Sequence, residues 1–325
     1  MIITLGEALI DFVSEESGVE LRGASRFHKR FGGAPANVAI GVARLGVSAG
    51  FIGKVGDDAF GRYLEEELMR AGVDTSCLYF SKAAKTTLAF VSLTSQGDRD
   101  FVFYRDPGAD AFLSVEEITE QYIQEANVLH LGSISLISPM SRDATCRAIE
   151  FAENCGLTVS MDPNIRLSLW KNEEGARKVI RDALIHCDLC KLSKEEAEFL
   201  SGKANVREAA SDLLELGPGL VIVTLGARGC FYKHGSQEGT IEGYEVQVKD
   251  TTGAGDAFTA GFLSHILHNG LLGKLISLEE KDLVDALRYS NAVAAMTTTG
   301  YGATSAFPNA KQVDRFIAQR RVPIL

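Results

Sequence analysis

The sequence of 325 residues lacks several things that would each have fixed a class of function. No long uncharged apolar stretch is present, so no segment is written to span a bilayer, and the apolar opening Met1 to Phe12 has no basic leader and carries Glu7 and Asp11. That opening is predicted to be a first strand rather than a signal peptide. Lys and Arg form no long run, and the formal charge is −10 with a pI near 5.2. The largest basic group, Arg26, His28, Lys29 and Arg30, is one strand edge, which argues against a nucleic-acid or membrane partner. The six cysteines show no disulfide-framework spacing, which suits a reducing, cytoplasmic compartment. Cys187 and Cys190 form one C-x-x-C with no second to complete a zinc site, and on a strand positions three apart face opposite sides. Neither G-x-x-x-x-G-K-[S/T] nor G-x-G-x-x-G occurs, excluding a Walker loop and a dinucleotide or protein-kinase glycine fingerprint. Internal repeats and low-complexity linkers are absent too.

What remains is the composition of an ordinary globular protein, 46% hydrophobic and 23% charged, large enough to bury a sizeable core. The stretch Asp250 to Phe258, D-T-T-G-A-G-D-A-F, is the most informative. Before it, Tyr244 to Val248 alternates like a strand; after it, Phe258, Phe262 and Ile266 recur at helical spacing. Gly253 and Gly255 bracket Ala254, so the backbone can turn and leave its N–H groups uncovered at the positive end of a new helix. Such a turn holds an anion. Asp256 follows in the first helical turn, where a carboxylate beside a phosphate cradle suggests phosphoryl transfer with Asp256 as the base. Glycine before a helix and an acid in its first turn are also common for purely structural reasons, so this stretch needs its context.

Along the chain, Ile2 to Ile10 is predicted to be a strand ending at Asp11, and 12–31 shows only short strand-like pieces. A glycine turn at Gly32-Gly33 precedes a helix that Pro35 can start, with Asn37 near its beginning. A strand over Gly50 to Val55 and a helix over Ala59 to Ala71 continue a βαβ rhythm. The rhythm breaks at Thr86 to Thr94, a turn at Ser95 to Asp98, and a return at Phe101 to Tyr104, which together read as an antiparallel hairpin. With the early segment it predicts a small β lid from about 12–31 and 86–106, inserted in one α/β domain covering 1–325. Later strands are expected at Val128 to Leu131, Leu157 to Met161, Asp188 to Leu192 and Leu220 to Thr224, with helices near Met140 to Asn154 and Asn172 to Ile185. Polar residues gather at the carboxyl ends of these strands: Asp11, Asp162 to Arg166, Ser193 with Glu195 and Glu196, and Thr224 to Gly229. That is where open α/β sheets bind ligands.

G-G-A-P-A-N at Gly32 to Asn37, G-D-D-A-F-G at Gly56 to Gly61 and D-T-T-G-A-G-D-A-F at Asp250 to Phe258 resemble the two signatures of the ribokinase-like sugar kinases, the phosphofructokinase-B family. They lie in the expected order and span nearly the whole chain. D-P-N-I-R with Leu169-Trp170, K-L-S-K-E-E at Lys191 to Glu196, and F-Y-R-D-P-G-A-D at Phe103 to Asp110 are most similar to fructokinases, and ketodeoxygluconate kinases share some of them. The resemblance implies a doubly wound, mainly parallel α/β fold with helices on both faces, a small β lid, and a homodimer formed through that lid. It implies ATP and magnesium as cofactors and Asp256 as base beside an anion hole of Gly253, Ala254 and Gly255. Asp11, Gly33 and Asn37 would bind the sugar, with Arg105 brought over it by the hairpin, while Arg166 would serve the substrate or the ATP phosphates. Lys191, Thr224, Gly226, Gly229 and Asn291 would lie along ATP, and Glu196 would orient magnesium through water. Asp250 and Thr252 resemble the start of a monovalent-cation loop, for potassium, completed near Thr297 to Gly302. Ribokinases proper carry N-x-x-E where this chain has Ser193-Lys194-Glu195-Glu196. D-fructose, phosphorylated at its terminal hydroxyl, is the expected substrate, 2-keto-3-deoxygluconate the alternative, and a catalytically silent sugar or nucleotide sensor the competing class.

Overall fold

The computed structural model describes residues 1–93, 99–272 and 278–320. Two sheets organise it. The large one has nine strands, β1 (Ile2–Leu5), β4 (Ala49–Gly56), β5 (Val73–Ser81), β8 (Val128–Leu131), β9 (Thr158–Met161), β10 (Leu189–Ser193), β11 (Leu220–Thr224), β12 (Cys230–His234) and β13 (Gln237–Ile241). Their order is β13-β12-β11-β10-β9-β8-β1-β4-β5, parallel throughout except for β12 and β13, which run antiparallel to their neighbours. The small sheet has the order β3-β2-β6-β7, from β2 (Leu9–Ser17), β3 (Phe27–Gly32), β6 (Leu88–Leu93) and β7 (Arg99–Tyr104). It is the expected lid.

Parallel strands need helical crossovers, and these cover both faces. The strand period of two divides the core. On β11, Leu220 and Ile222 face the helices α1 (Ala34–Arg44), α2 (Ala59–Arg70), α8 (Ala254–His268) and α9 (Glu280–Thr297), whereas Val221 and Val223 face α4 (Pro139–Asn154), α5 (Glu173–Leu184), α6 (Lys194–Ser201) and α7 (Val206–Leu214). The short α3 (Glu120–Ile123) and α10 (Ala303–Ala306), with the terminal α11 (Ala310–Arg320), complete the helices. Phe258 and Phe262, both buried on α8, each contribute on the order of 1.5–3 kcal/mol by leaving water. Helices α1 and α8 approach so closely that a Cβ on Gly41 would lie 2.6 Å from the Cβ of Ala260. Nearer their amino termini, Asn37 of α1 bonds to Asp256 of α8.

Two expectations are corrected. Ile2 to Ile10 is not one strand: the chain leaves the large sheet after Leu5 and re-enters as β2 of the lid, turning at Gly6, whose φ of 154° suits glycine. Asp11 accordingly sits on the lid, in register with Arg30 and Ala89, rather than at the end of a core strand. Tyr244 to Val248 is not a strand either. Tyr244, packed edge-on against Phe316, and Val246 are half-buried between exposed Glu245 and Gln247, but among the described residues no strand pairs with the segment. Strands β5, β12 and β13 were not anticipated, and the turn at Ser95 to Asp98 lies outside the described residues.

Candidate active site

A cleft of about 1220 Å³ opens over the carboxyl ends of the parallel strands. Its floor is the residues where strands stop: Glu7 after β1, Ile134 after β8, Asp162 after β9, Ser193 ending β10 and Thr224 ending β11. Strand order reverses between β1 and β8, the place where such sheets leave a crevice. The lid forms the other wall, with Asp11, Val13, Phe101 and Phe103.

Two glycine-capped helices meet in this cleft. Gly33 caps α1 at φ 101°, and a Cβ there would stand 2.3 Å from the carbonyl oxygen of Glu7, so no other residue fits. Gly253 caps α8 in the left-handed region at φ 75°, with no side chain over the first turn. Asn37 on α1 donates from Nδ2 to Oδ2 of Asp256 on α8 at 2.7 Å, tying the two amino termini together. Asp256 is 7% exposed. Burial, with the nearby Asp162 charge, raises its pKa to about 6, against the opposing influence of Asn37, Lys191 and Arg166. Such a carboxylate is ionised at neutral pH yet basic enough to accept a proton.

Beneath Gly255 lies Lys191, buried on β10, whose Nζ would be 3.0 Å from a Cβ on that glycine. Its ammonium donates to Asp162 Oδ2 at 2.8 Å, and Thr259 Oγ1 on α8 donates to the same oxygen at 3.2 Å. The Lys191 pKa is raised, because Asp162 and Glu196 outweigh the cost of burial. Glu196 closes a capping box on α6: Oε2 accepts from Ser193 N at 2.8 Å, and Oε1 accepts from Ile165 N at 2.6 Å. Arg166 reaches the cleft with its guanidinium 5.8 Å from the Phe101 ring of the lid. Within the same loop, Asn164 holds φ 46°, the one positive value on a non-glycine among the described residues. Asp250 accepts from Thr252 N and Oγ1 through Oδ1, at 2.9 and 2.6 Å, and from Gly302 N through Oδ2 at 2.9 Å. That ties the anion turn to the 300 loop, as does Lys249 N donating to Thr298 O at 2.8 Å.

Asp11, Gly33, Asn37, Arg166, Lys191, Glu196, Thr224, Asp250, Thr252, Gly253, Gly255 and Asp256 thus share one cleft, with Ala254 between its two glycines. Four other candidates lie outside its lining. Arg105, expected over the sugar, is buried at the root of the lid, where Nε donates to Asp110 Oδ2 at 2.7 Å. Asn291 on α9 donates to the carbonyls of Ile241 and Glu242 at 3.3 and 3.1 Å, a tie to the end of β13. Gly226 and Gly229 shape the turn after Thr224, and a Cβ on Gly229 would stand 2.0 Å from Ile241 O.

Sequence reasoning missed Glu7 and Thr259. Glu7 is buried, its Oε1 accepting from Ala34 N at 3.0 Å, and its pKa is raised to about 7, chiefly by burial. Thr259 had a readable signal, since it follows Asp256 by three positions and shares its helix face.

The pfkB family carbohydrate kinase model matches residues 1–310. The chain belongs to that family. A probable fructokinase-2 of Arabidopsis thaliana is 44% identical over 309 residues, 95% of this chain and 93% of the relative. Among solved structures, a fructokinase from Xylella fastidiosa with bound ATP superposes with a TM-score of 0.90 at 33% identity, covering 99% of each chain. A fructokinase double mutant from Vibrio cholerae O395, in a form with fructose, ADP and potassium bound, gives 0.86 at 32% identity over 97% of each. Membership makes this chain a sugar kinase of the ribokinase-like fold, and the glycine-capped cleft is where Gly33 to Asn37 meets Gly253 to Asp256.

Proposed function

We propose that this kinase transfers the γ-phosphoryl group of ATP to the terminal hydroxyl of D-fructose, giving fructose 6-phosphate, as one catalytic domain with the lid inserted in it. The observation that carries the reading is Asp256, buried, held by Asn37 and set beside the bare amino terminus of α8. Asp256 takes the hydroxyl proton while the sugar oxygen forms its bond to the γ-phosphorus and the bond to the bridging oxygen of ADP breaks. The backbone of Gly253, Ala254 and Gly255 receives the charge of the transferring group. Asp11, Gly33 and Asn37 would hold the sugar, with Phe101 and Phe103 closing over it against water. ATP would extend past Lys191 toward Thr224 and the Gly226 to Gly229 turn, with Asn291 behind.

Both oxygens of Glu196 already accept backbone N–H groups, and the residue lines the cleft, which fits a water-mediated rather than direct hold on magnesium. When bound, magnesium neutralises charge between the phosphates. Asp250, with Thr252 and the 300 loop, fits an oxygen-rich site for potassium that would stiffen the anion turn; equal rates in potassium and in a bulky organic-cation buffer would remove the ion from this scheme. The outer face of the lid, with Val102 and Tyr104 exposed around Phe90, fits a homodimer contact, and a monomer by light scattering at assay concentration would rule it out. Among the described residues no helix is long and apolar enough to cross a membrane, and the six cysteines are free thiols, which suits action in the cytoplasm.

Relatives named fructokinase favour a neutral hexose over a sugar acid. Comparing kcat/KM for fructose and 2-keto-3-deoxygluconate tests the assignment: preference for fructose is expected, and preference for the sugar acid would replace it while leaving the kinase intact.

A further inference from the structure

A lysine and an aspartate buried together are a poor way to stabilise a fold. Removing two charges from water costs about as much as their attraction returns, and a well-packed apolar pair often does as well or better. Asp162 and Lys191 are both more than nine-tenths buried, yet each is aimed at the cleft. Their place is specific. Lys191 arrives from β10, Asp162 from the end of β9, and Thr259 from α8, so three elements meet at one carboxylate oxygen. Thr259 lies on the helix whose first turn carries Asp256, and Lys191 lies directly under the glycine between them and the cleft.

We infer that Asp162 is a positioning residue for phosphoryl transfer: anchored to α8 through Thr259, it holds the Lys191 ammonium against the underside of the anion turn. Two consequences follow. A lysine side chain has four rotatable bonds, and without a fixed partner its charge would wander among Asp256, Glu196 and the phosphates. Asp162 removes that freedom before ATP arrives, so no reorganisation is needed as charge develops. Asp162 also keeps Lys191 from pairing with Asp256, which would leave the base too weak. The groups facing Asp256 are Asn37 from α1, Asp162, Lys191 and Arg166, and those facing the pair from the other side are His130 on β8 and Glu196 on α6. His130, buried with Nδ1 3.1 Å from Ser160 Oγ, has its pKa lowered to about 4 by burial and so stays neutral near neutral pH. The charge balance around Lys191 therefore depends on Asp162, Asp256, Glu196 and Arg166.

This inference rests on Asp256 being the base, and Asp256→Asn serves as its control. Asp162→Asn keeps an acceptor for Lys191 and Thr259 but removes the charge. With it, kcat should fall about 10²-fold while the fructose KM changes little, the pattern of a misplaced group rather than lost substrate binding. The acid limb of the kcat profile should move down by about one pH unit, because Asp256 loses a negative neighbour. A merely structural role would lower the melting temperature and leave kcat on the pH plateau unchanged. A folded Asp162→Asn enzyme with kcat within about twofold of the parent, or with its acid limb unmoved, would overturn the inference. Where Asp162→Asn shows no cooperative melt, Thr259→Val decides: a kcat loss of about tenfold at constant fructose KM supports it, and an unchanged kcat overturns it. Loss of activity in Asp256→Asn alongside a normal Asp162→Asn rejects the positioning role alone, whereas retained activity in Asp256→Asn rejects the assignment of the base.

Discussion

Two buried ionic clusters in this kinase use the same chemistry for different ends. At the cleft floor, Asp162, Lys191 and Thr259 stand close to Asp256 and Asn37, carried by core elements: the end of β9, β10, α8 and α1. At the lid root, Arg105 pairs with Asp110, which also accepts from Thr87 Oγ1 at 2.5 Å, with Glu7 close by. The lid cluster draws on residues flanking β6 and β7 and on the turn at Ala109–Phe112, so it pins a sheet to the core. Its arginine is not among the residues lining the cleft, whereas Asp162, Lys191 and Asp256 are. Burial alone therefore does not mark a functional charge. Which way the group faces, and what it leaves exposed, does.

The comparison breaks most visibly by removing one charge from each cluster. Asp256→Asn should lower kcat by on the order of 10² to 10⁴ with little change in sugar affinity or melting temperature. Steady-state kinetics beside a thermal melt measures both, and near-normal turnover would disqualify Asp256. Arg105→Ala should do the reverse. It leaves Asp110 buried without its cation, a loss on the order of 3–5 kcal/mol in urea unfolding. Undiminished stability with abolished fructose binding would instead return Arg105 to the substrate.

A smaller effect sharpens the floor itself. A base with a folded pKa of about 6 works when ionised, so kcat should hold above that pH and fall as pH drops through it. Asn37 opposes the rise by donating to Oδ2, so Asn37→Leu should move the limb upward by a fraction of a unit. A downward movement would show that the Asn37 bond does not act on the ionised form.

Much of this was legible because it is local. The turn and first helical residues at Gly32 to Asn37 and Gly253 to Asp256 are contiguous, and glycine is required at Gly33 and Gly253 for backbone reasons that composition alone displays. Strands buried on both faces, such as β8 and β11, announce themselves as apolar runs. The hairpin of β12 and β13 was less visible, because Gln237 to Thr240 is polar and half-exposed at a sheet edge. The break between β1 and β2 could not be read from an apolar run whose two halves serve different sheets.

By itself the sequence determined an α/β chain with Asp256 behind a glycine turn, through short-range geometry and hydrophobic period, and its signature motifs carried the resemblance to ribokinase-like kinases. Only the tertiary structure decided that Arg105 belongs to Asp110, that Asp11 rides on the lid, and that Asp162 clasps Lys191 with Thr259 ninety-seven residues away. The reason is physical: a side chain's charge state and role depend on which groups share its low-dielectric surroundings, and those neighbours come from segments that meet only when the sheet closes.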